Sequence, residues 1–155
     1  MHIKVLAVGT KMPQWVSQGV DEYQKRLPRE WRFTIKELNL AQRTKSQDPA
    51  KAIEREADEL LKAISPQEHV VALDVTGTSW STEKLAQNMS QWQMQGADIT
   101  LLIGGPDGLS PRCIARANQR WSLSALTLPH PLVRVLLVEQ LYRAWTVNNH
   151  HPYHK

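Results

Sequence analysis

The segment 101–108, with the sequence LLIGGPDG, carries the residue types that most clearly indicate a ligand site. Its apolar residues extend back to position 99 and predict a buried strand, and the glycines and proline that follow predict a loop. Open α/β folds bind ligands beside such loops, where glycines let backbone N–H and C=O groups touch the ligand. A tight turn without a ligand would have the same pattern, so the rest of the sequence has to decide.

Two further loops follow predicted strands and contain few charged residues. One is 73–77 (LDVTG), after a strand over 69–73, and the other is 123–131 (LSALTLPHP), after a short strand over 121–123. Because the carboxyl ends of neighbouring parallel strands lie side by side, the three loops can converge. They would form a pocket with apolar walls and many backbone donors and acceptors, which suits a flat aromatic ring. Phosphate fits poorly, since the three loops contain no Lys or Arg.

Several other chemistries lack their motifs in this sequence. There is no P-loop, no nucleophile elbow and no H-E-x-x-H, and the glycines at 104, 105 and 108 do not match G-x-G-x-x-G. The histidines at 150, 151 and 154 could bind a metal only adventitiously, so we expect no metal site. Cys113 is the only cysteine, which excludes disulfides within the chain and cysteine-based zinc sites.

The elements that must position these loops alternate between strands and helices. Strands are predicted over Ile3–Val8, 32–38, 69–73, 99–103 and 121–123. Helices are predicted over 13–27, from the N-cap Asp48 to position 64, from position 81, after Ser110, and over 132–147. Segment 40–48, with Arg43 and Lys45, is predicted as a polar loop. The alternation predicts an α/β fold with a mostly parallel sheet flanked by helices, and the length predicts a single domain, 1–155.

The last predicted helix is apolar on nearly every side. A helix of that kind must be buried nearly all round, which is difficult within one chain of 155 residues. We therefore expect a second subunit to cover it, in a symmetric homodimer. A central helix in a monomer is the alternative.

Charge and hydropathy restrict the partners. The net charge is +4, with both ends of the sequence basic and the middle acidic, so the ends together could face a polyanion. An ordinary solvated surface is the alternative. The candidates for phosphate contacts are Lys4, Lys11, Arg112, Arg116, Arg120 and Arg134. The sequence lacks a membrane-span pattern and a signal-peptide layout, so we expect a cytoplasmic protein without a membrane partner.

Four segments together resemble the ribosomal RNA large subunit methyltransferase H family of SPOUT-type enzymes. They are VGTK at 8–11, LLIGGPDG at 101–108, WSLSALTLPH at 121–130 and HPYH at 151–154. The resemblance implies a C-terminal trefoil knot and S-adenosylmethionine as cofactor. It also implies a homodimer that methylates N3 of a pseudouridine in 23S rRNA on the assembled 70S ribosome. With the three loops, it gives these expected cofactor residues: Leu73, Gly104, Gly105, Gly108, Leu123, Ser124, Ala125, Leu126, Thr127 and Leu128.

Methyl transfer to an imide nitrogen also requires removal of the N3 proton. A nearby cation favours the anion and a neutral histidine accepts the proton, so the candidate catalytic residues are Arg143, Tyr153 and His154. Arg143 could equally form an ordinary i,i+4 pair with Glu139, and the other two could belong to a frayed terminus. Two alternatives stay open for the function: methylation of another RNA, such as tRNA, and a ribosome-associated binding protein without activity.

Overall fold

The computed structural model describes residues 1–44, 46 and 48–155. Lys45, predicted within the polar loop, lies outside the described residues. The strands are β1 (Ile3–Val8), β2 (Thr34–Leu38), β3 (His69–Ser79), β4 (Ile99–Ile103) and β5 (Gln119–Ser122). They form one parallel sheet in the order β2-β1-β4-β3-β5, which confirms the predicted fold class.

Helices cover both faces of this sheet. They are α1 (Gln14–Gln24), α2 (Pro49–Lys62), α3 (Thr82–Gln95), α4 (Pro111–Arg116) and α5 (His130–Asn148). The predicted N-caps are confirmed, because the side chains of Asp48 and Ser110 accept hydrogen bonds from the first turns of α2 and α4. None of the helices in the described ranges combines the length and the apolar character that crossing a bilayer requires.

The core has two parts because side chains alternate across each strand. In β1, Ile3, Val5 and Ala7 face the larger part, which α1, α3 and α5 cover. Leu6 and Val8 face the smaller part, which α2 and α4 cover. Leu73 of β3 and the carboxyl ends of its neighbours β4 and β5 thereby lie next to each other at one edge, where the predicted ligand loops begin.

Helix α5 packs against α1 and α3 through one side. Its contact with α1 is close, since a Cβ on Gly19 would lie 3.2 Å from a Val135 methyl carbon. Leu132 and Leu136 lie on a different side and belong to neither core part within the described residues. This arrangement agrees with the expectation that the chain alone does not cover all of α5. The second subunit stays a prediction.

Two local predictions are wrong. The strand that was predicted to end at position 73 continues to Ser79, because β3 bulges and pairs again with β5 through Thr78 and Ser79. Gly77 permits this approach, since a Cβ there would lie 2.8 Å from the Arg120 carbonyl carbon. Strand β5 consequently begins at Gln119 and ends at Ser122, two residues and one residue earlier than predicted, respectively. The final residues form a 3-10 turn, Pro152–His154, which disfavours the alternative of a frayed terminus.

Candidate functional site

The predicted loops after β4 and β5 and residues 73–75, which belong to β3 and not to a loop, converge on one cavity at the carboxyl edge of the sheet. The cavity has a volume of about 1170 Å³, enough for a ligand the size of a nucleoside with an extended arm. Of the expected cofactor residues, Ala125 alone does not line it and is exposed to solvent. The residues that do line it are Leu73, Gly104, Gly105, Gly108, Leu123, Ser124, Leu126, Thr127 and Leu128. Whether they bind a cofactor stays a prediction.

The loop after β4 doubles back so tightly that side chains are excluded. A Cβ on Gly104 would lie 2.6 Å from the carbonyl carbon of Gly108, a separation at which backbone must move. Gly108 itself has φ +83°, a conformation that favours glycine, and its N–H donates to the Gly105 carbonyl oxygen over 3.0 Å. The glycines therefore expose backbone groups along one wall of the cavity.

The charged groups on the cavity wall are acidic. Asp74 and Asp107 line it, and no Lys or Arg does so among residues 1–44, 46 and 48–155. Burial raises the pKa of Asp74, but hydrogen bonds from Arg120 and Thr76 outweigh burial and hold this pKa below its ordinary value. Asp74 is therefore a carboxylate at neutral pH, so the wall tolerates a cationic ligand better than a phosphate.

The loop after β2 supplies a wall that the sequence reasoning missed. Leu40 lines the cavity, and its Cδ1 would lie 2.9 Å from a Cβ on Gly105. Arg43 holds this loop in place, because its Nε donates to Asp107 over 2.7 Å and its Nη1 donates to the buried Glu56 over 2.8 Å. Asp107 and Glu56 are 64 and 13 residues from Arg43 in the chain, so the sequence predicts the polar loop but not these contacts.

His130 and Arg134, at the start of α5, are not among the expected cofactor residues, although His130 lies in the third predicted loop. His130 lines the cavity, and its Nδ1 lies 3.0 Å from the Gly104 carbonyl oxygen. The sequence signal was its position in the third loop. The prediction that Arg134 contacts phosphate is wrong for this structure. Its side chain is only 5% exposed and is committed to Glu37, the Gly9 carbonyl and His130.

The candidate catalytic residues Arg143 and Tyr153 come together outside the cavity. The guanidinium of Arg143 lies 4.9 Å from the centre of the Tyr153 ring, and both side chains donate to Glu139. The alternative i,i+4 contact is thus present, with 3.0 Å between Arg143 Nη2 and the Glu139 carboxylate. His154 is the next residue, and its Nδ1 is buried without a hydrogen-bond partner among the described residues.

The surroundings of Tyr153 decide its protonation. Burial and the nearby Glu139 carboxylate raise the pKa of the Tyr153 phenol to about 12. The hydroxyl is therefore protonated at neutral pH and donates to Glu139 over 3.1 Å. Sequence reasoning considered Glu139 only as a partner of Arg143, and it missed that this carboxylate also orients Tyr153.

The candidate catalytic residues do not line the cavity of their own chain. Val133 lies on the cavity wall, and Arg143 is ten residues further along α5. At about 1.5 Å per residue, this places the two positions roughly 15 Å apart along the helix axis. Within one subunit, the cavity is thus separate from the candidate catalytic residues Arg143, Tyr153 and His154, which we call the catalytic cluster.

Four of the remaining candidates for phosphate contacts lie at the surface and differ in their protein partners. Lys11 is exposed, whereas Arg112 pairs with Glu54 and Asp58 on α2. Arg120 pairs with Asp74, and Arg116 donates to two backbone carbonyls. Lys4 is wrong as a candidate in this structure, because its Nζ is largely buried and donates to Glu68 and the Ala63 carbonyl.

Across the described ranges, His, Cys, Asp and Glu side chains form no group of three or more that could hold a metal ion.

The chain is similar to known methyltransferases over its whole length. A family model described as "Predicted SPOUT methyltransferase" matches residues 1–154. Curated relatives carry the name "Ribosomal RNA large subunit methyltransferase H". Those from Chromohalobacter salexigens and Marinomonas sp. are 57% and 54% identical over 155 residues, with complete coverage of both chains in each case. The relative from Hahella chejuensis is 57% identical and is covered over 99% of its length.

Solved structures agree in fold. A probable methyltransferase from Bordetella pertussis gives a TM-score of 0.59 at 15% identity, with 92% of this chain and 95% of that chain covered. A probable methylase family protein from Haemophilus influenzae gives 0.56 at 12% identity, with 99% and 70% covered. Because these identities are low, they support the fold alone. The family model and the close relatives go further: the chain belongs to the SPOUT methyltransferases and, within them, to the ribosomal RNA large subunit methyltransferase H family.

Proposed function

We propose that the chain is an S-adenosylmethionine-dependent enzyme that methylates N3 of a pseudouridine in large-subunit rRNA, on the assembled 70S ribosome. The observation that carries the proposal is the convergence of segments 73–75, 104–108 and 123–131 on one cavity. The names of the close relatives support large-subunit rRNA as the substrate. An rRNA substrate implies that the protein works in the cytoplasm. The trefoil knot and the single domain 1–155 stay predictions.

The cavity fits the proposed cofactor on its own features. The close approach of Gly104 to Gly108 puts backbone instead of side chains on the wall that a nucleobase would contact, and the leucines of 123–128 provide apolar walls. Asp74 and Asp107 also line the cavity, and although each already pairs with an arginine, the wall carries no Lys or Arg that would repel the cationic part of the ligand in the described residues. Gly104, Leu73 and the 123–128 segment would hold the cofactor, which supplies a methyl group on a sulfonium for in-line transfer.

The chain's own contribution to the reaction is positioning and proton handling. The Arg143 guanidinium stabilises the anion that forms when N3 loses its proton. The Tyr153 hydroxyl is protonated, so it acts as a donor and not as a base. This leaves His154 as the proposed proton acceptor in the cluster. Glu139 holds Arg143 and Tyr153 in register by accepting a hydrogen bond from each.

A homodimer reconciles the cavity with the catalytic cluster. Leu132, Leu136, Glu139 and Arg143 follow each other at helical spacing and form a single stripe along α5. The two leucines belong to neither core part of the described chain, so the stripe is an apolar surface that continues into the cluster. We infer that a second copy covers this stripe and brings its own cluster towards the cavity, so that one site uses both subunits.

The proposed contacts to rRNA are electrostatic. Lys11, Arg112, Arg116 and Arg120 are the candidates that stay at the surface. Three of them already have protein partners, so the charge available to phosphates is modest. Recognition would therefore depend on the shape of the ribosome more than on direct reading of bases.

The test is methyl transfer from labelled S-adenosylmethionine to three substrates: 70S ribosomes, free 50S subunits and tRNA. We expect label in 70S ribosomes, and mass spectrometry of the rRNA should place it on one pseudouridine. Label in tRNA instead would support the alternative RNA substrate. Binding to ribosomes without any transfer would support the non-enzymatic alternative.

A further inference from the structure

The guanidinium of Arg134 is buried and connects the ends of three elements. Its Nη2 donates to the Gly9 carbonyl over 2.8 Å, just after β1. Its Nη1 donates to Glu37 on β2 over 2.5 Å. Its Nε donates to His130 Nε2 over 2.8 Å, one turn earlier on α5. All three contacts lie at the edge of the sheet that carries the cavity.

These contacts determine the tautomer of His130. A guanidinium N–H can only donate, so the Nε2 atom that faces Arg134 must accept and carries no proton. The single proton of the neutral ring is then on Nδ1, which donates to the Gly104 carbonyl oxygen over 3.0 Å. Arg134 and His130 therefore form a chain of hydrogen bonds, which we call the relay, that links β1 and β2 to the glycine loop after β4.

We propose that His130 and Arg134 are positioning residues that hold the Gly104 loop in the shape that binds the adenosyl group, and that only the neutral imidazole does so. This inference rests on the proposed function, since it concerns the same cavity. The relay fixes Gly104, whose carbonyl faces His130 and whose Cα has no room for a side chain. The hydrogen bond from His130 Nδ1 to the Gly104 carbonyl links α5 to the loop after β4, and this link is lost without the relay.

Protonation of His130 would break the relay at one defined point. A proton on Nε2 would face the Nε–H of Arg134, and two donors cannot share a hydrogen bond. The charged groups around the ring are Arg134 on the same helix and Glu37 on β2, and the Gly104 carbonyl lies at the end of β4. Burial lowers the pKa of His130, and Arg134 acts in the same direction against the opposing effects of Gly104 and Glu37. The neutral form therefore prevails at neutral pH.

The experiment measures S-adenosylhomocysteine affinity by calorimetry between about pH 8 and about pH 5. In the wild-type protein, we expect the affinity to fall by about tenfold for each pH unit below the pKa of His130. His130→Asn and His130→Gln should bind more weakly at the upper pH and lose this pH dependence. His150→Asn is the matched control, because His150 is exposed and has φ +55°, a conformation that Asn tolerates. The control should keep the wild-type profile.

Three results would overturn the inference: a wild-type affinity that stays constant across the pH at which ¹⁵N NMR shows the His130 ring to take up a proton, a His130 variant that keeps the wild-type slope, or a control that loses it. Urea unfolding at both ends of the pH range checks that each protein is folded. Should neither His130 variant fold, ¹⁵N NMR of the wild-type protein decides, and a proton on Nε2 of neutral His130 contradicts the relay. A wild-type protein that binds nothing at any pH contradicts the proposed function, while the NMR result still judges the relay.

Discussion

At the residue scale, Gly104 combines a backbone constraint with a role in the proposed site. A Cβ at this position would overlap the backbone of Gly108 and Leu109, at 2.6 Å and 3.0 Å. Because backbone cannot move aside as a flexible side chain can, Gly104→Ala should displace the loop. We expect S-adenosylhomocysteine affinity to fall by about 10- to 100-fold, the equivalent of 1–3 kcal/mol of overpacking.

Gly96 provides the matched control for this substitution. It ends α3 with φ +68°, and a Cβ there would meet no atom within 4 Å. Gly96→Ala should lower the free energy of unfolding by about 1 kcal/mol through backbone strain and leave the affinity unchanged. Equal affinities in the Gly104 and Gly96 variants would contradict the assignment of the glycine loop to the cofactor cavity.

Tyr153 gives a second prediction at this scale. Since burial and Glu139 raise the pKa of its phenol to about 12, the hydroxyl donates throughout the neutral range. Tyr153→Phe should reduce kcat by about tenfold, the cost of one hydrogen bond, without changing the shape of the pH–rate profile. Tyr23→Phe is the control, because the Tyr23 ring also lies beside the Arg26 guanidinium that faces Tyr153, and it should have little effect. Loss of the limb on which activity rises with pH in Tyr153→Phe would identify the phenol as the base instead.

At the scale of elements, the loop after β2 depends on one buried ion pair. Glu56 is only 3% exposed at its side chain, and Arg43 is its charged partner. Arg43→Ala would leave this carboxylate buried without its counter-ion, which costs about 3 kcal/mol of unfolding free energy. Arg112 pairs with the same helix, but at the surface, so Arg112→Ala should cost less than about 1 kcal/mol.

Urea unfolding of both variants measures this difference. Addition of Glu56→Gln to Arg43→Ala should recover part of the loss, because the buried group is then neutral. Similar stabilities for Arg43→Ala and Arg112→Ala would show that the loop is not held in this way.

The sequence was sufficient for the elements that depend on local pattern. The apolar runs of β1 and β4 and the N-caps at Asp48 and Ser110 correctly predict strands and helix starts. The polar segment after position 73 has no strand pattern, and it pairs with β5 only because Gly77 lets the two backbones approach. Extension of β3 therefore depends on tertiary packing, which no local pattern encodes.

The candidate site follows the same division. Loops at strand ends can be predicted because a parallel sheet places them together. The partners of Arg134 cannot, since Gly9 and Glu37 are 125 and 97 residues away in the chain. The same charge that made Arg134 a candidate for phosphate is used inside the protein to join strand ends. Net charge thus overestimates the basic surface available to RNA.

At the scale of the whole molecule, the proposed homodimer gives the fourth prediction. Leu136 lies on the stripe that continues to Glu139 and Arg143 and belongs to neither core part of the described residues. Leu136→Glu should convert the dimer to a monomer that stays folded and transfers no methyl group. Light scattering after size-exclusion chromatography measures the mass. Met94→Glu, at an 87% exposed position on α3, should remain dimeric and active. A dimeric, active Leu136→Glu variant would contradict the interface.

The position at which the methyl donor binds is the most direct test of the proposed cofactor cavity. A crystal structure of the chain with S-adenosylhomocysteine measures this. We predict that the adenosyl group lies between segments 73–75, 104–108 and 123–131, in contact with backbone atoms of the glycine loop. A nucleoside bound outside this cavity, or a cavity that stays empty while the ligand occupies another surface, would contradict the central claim.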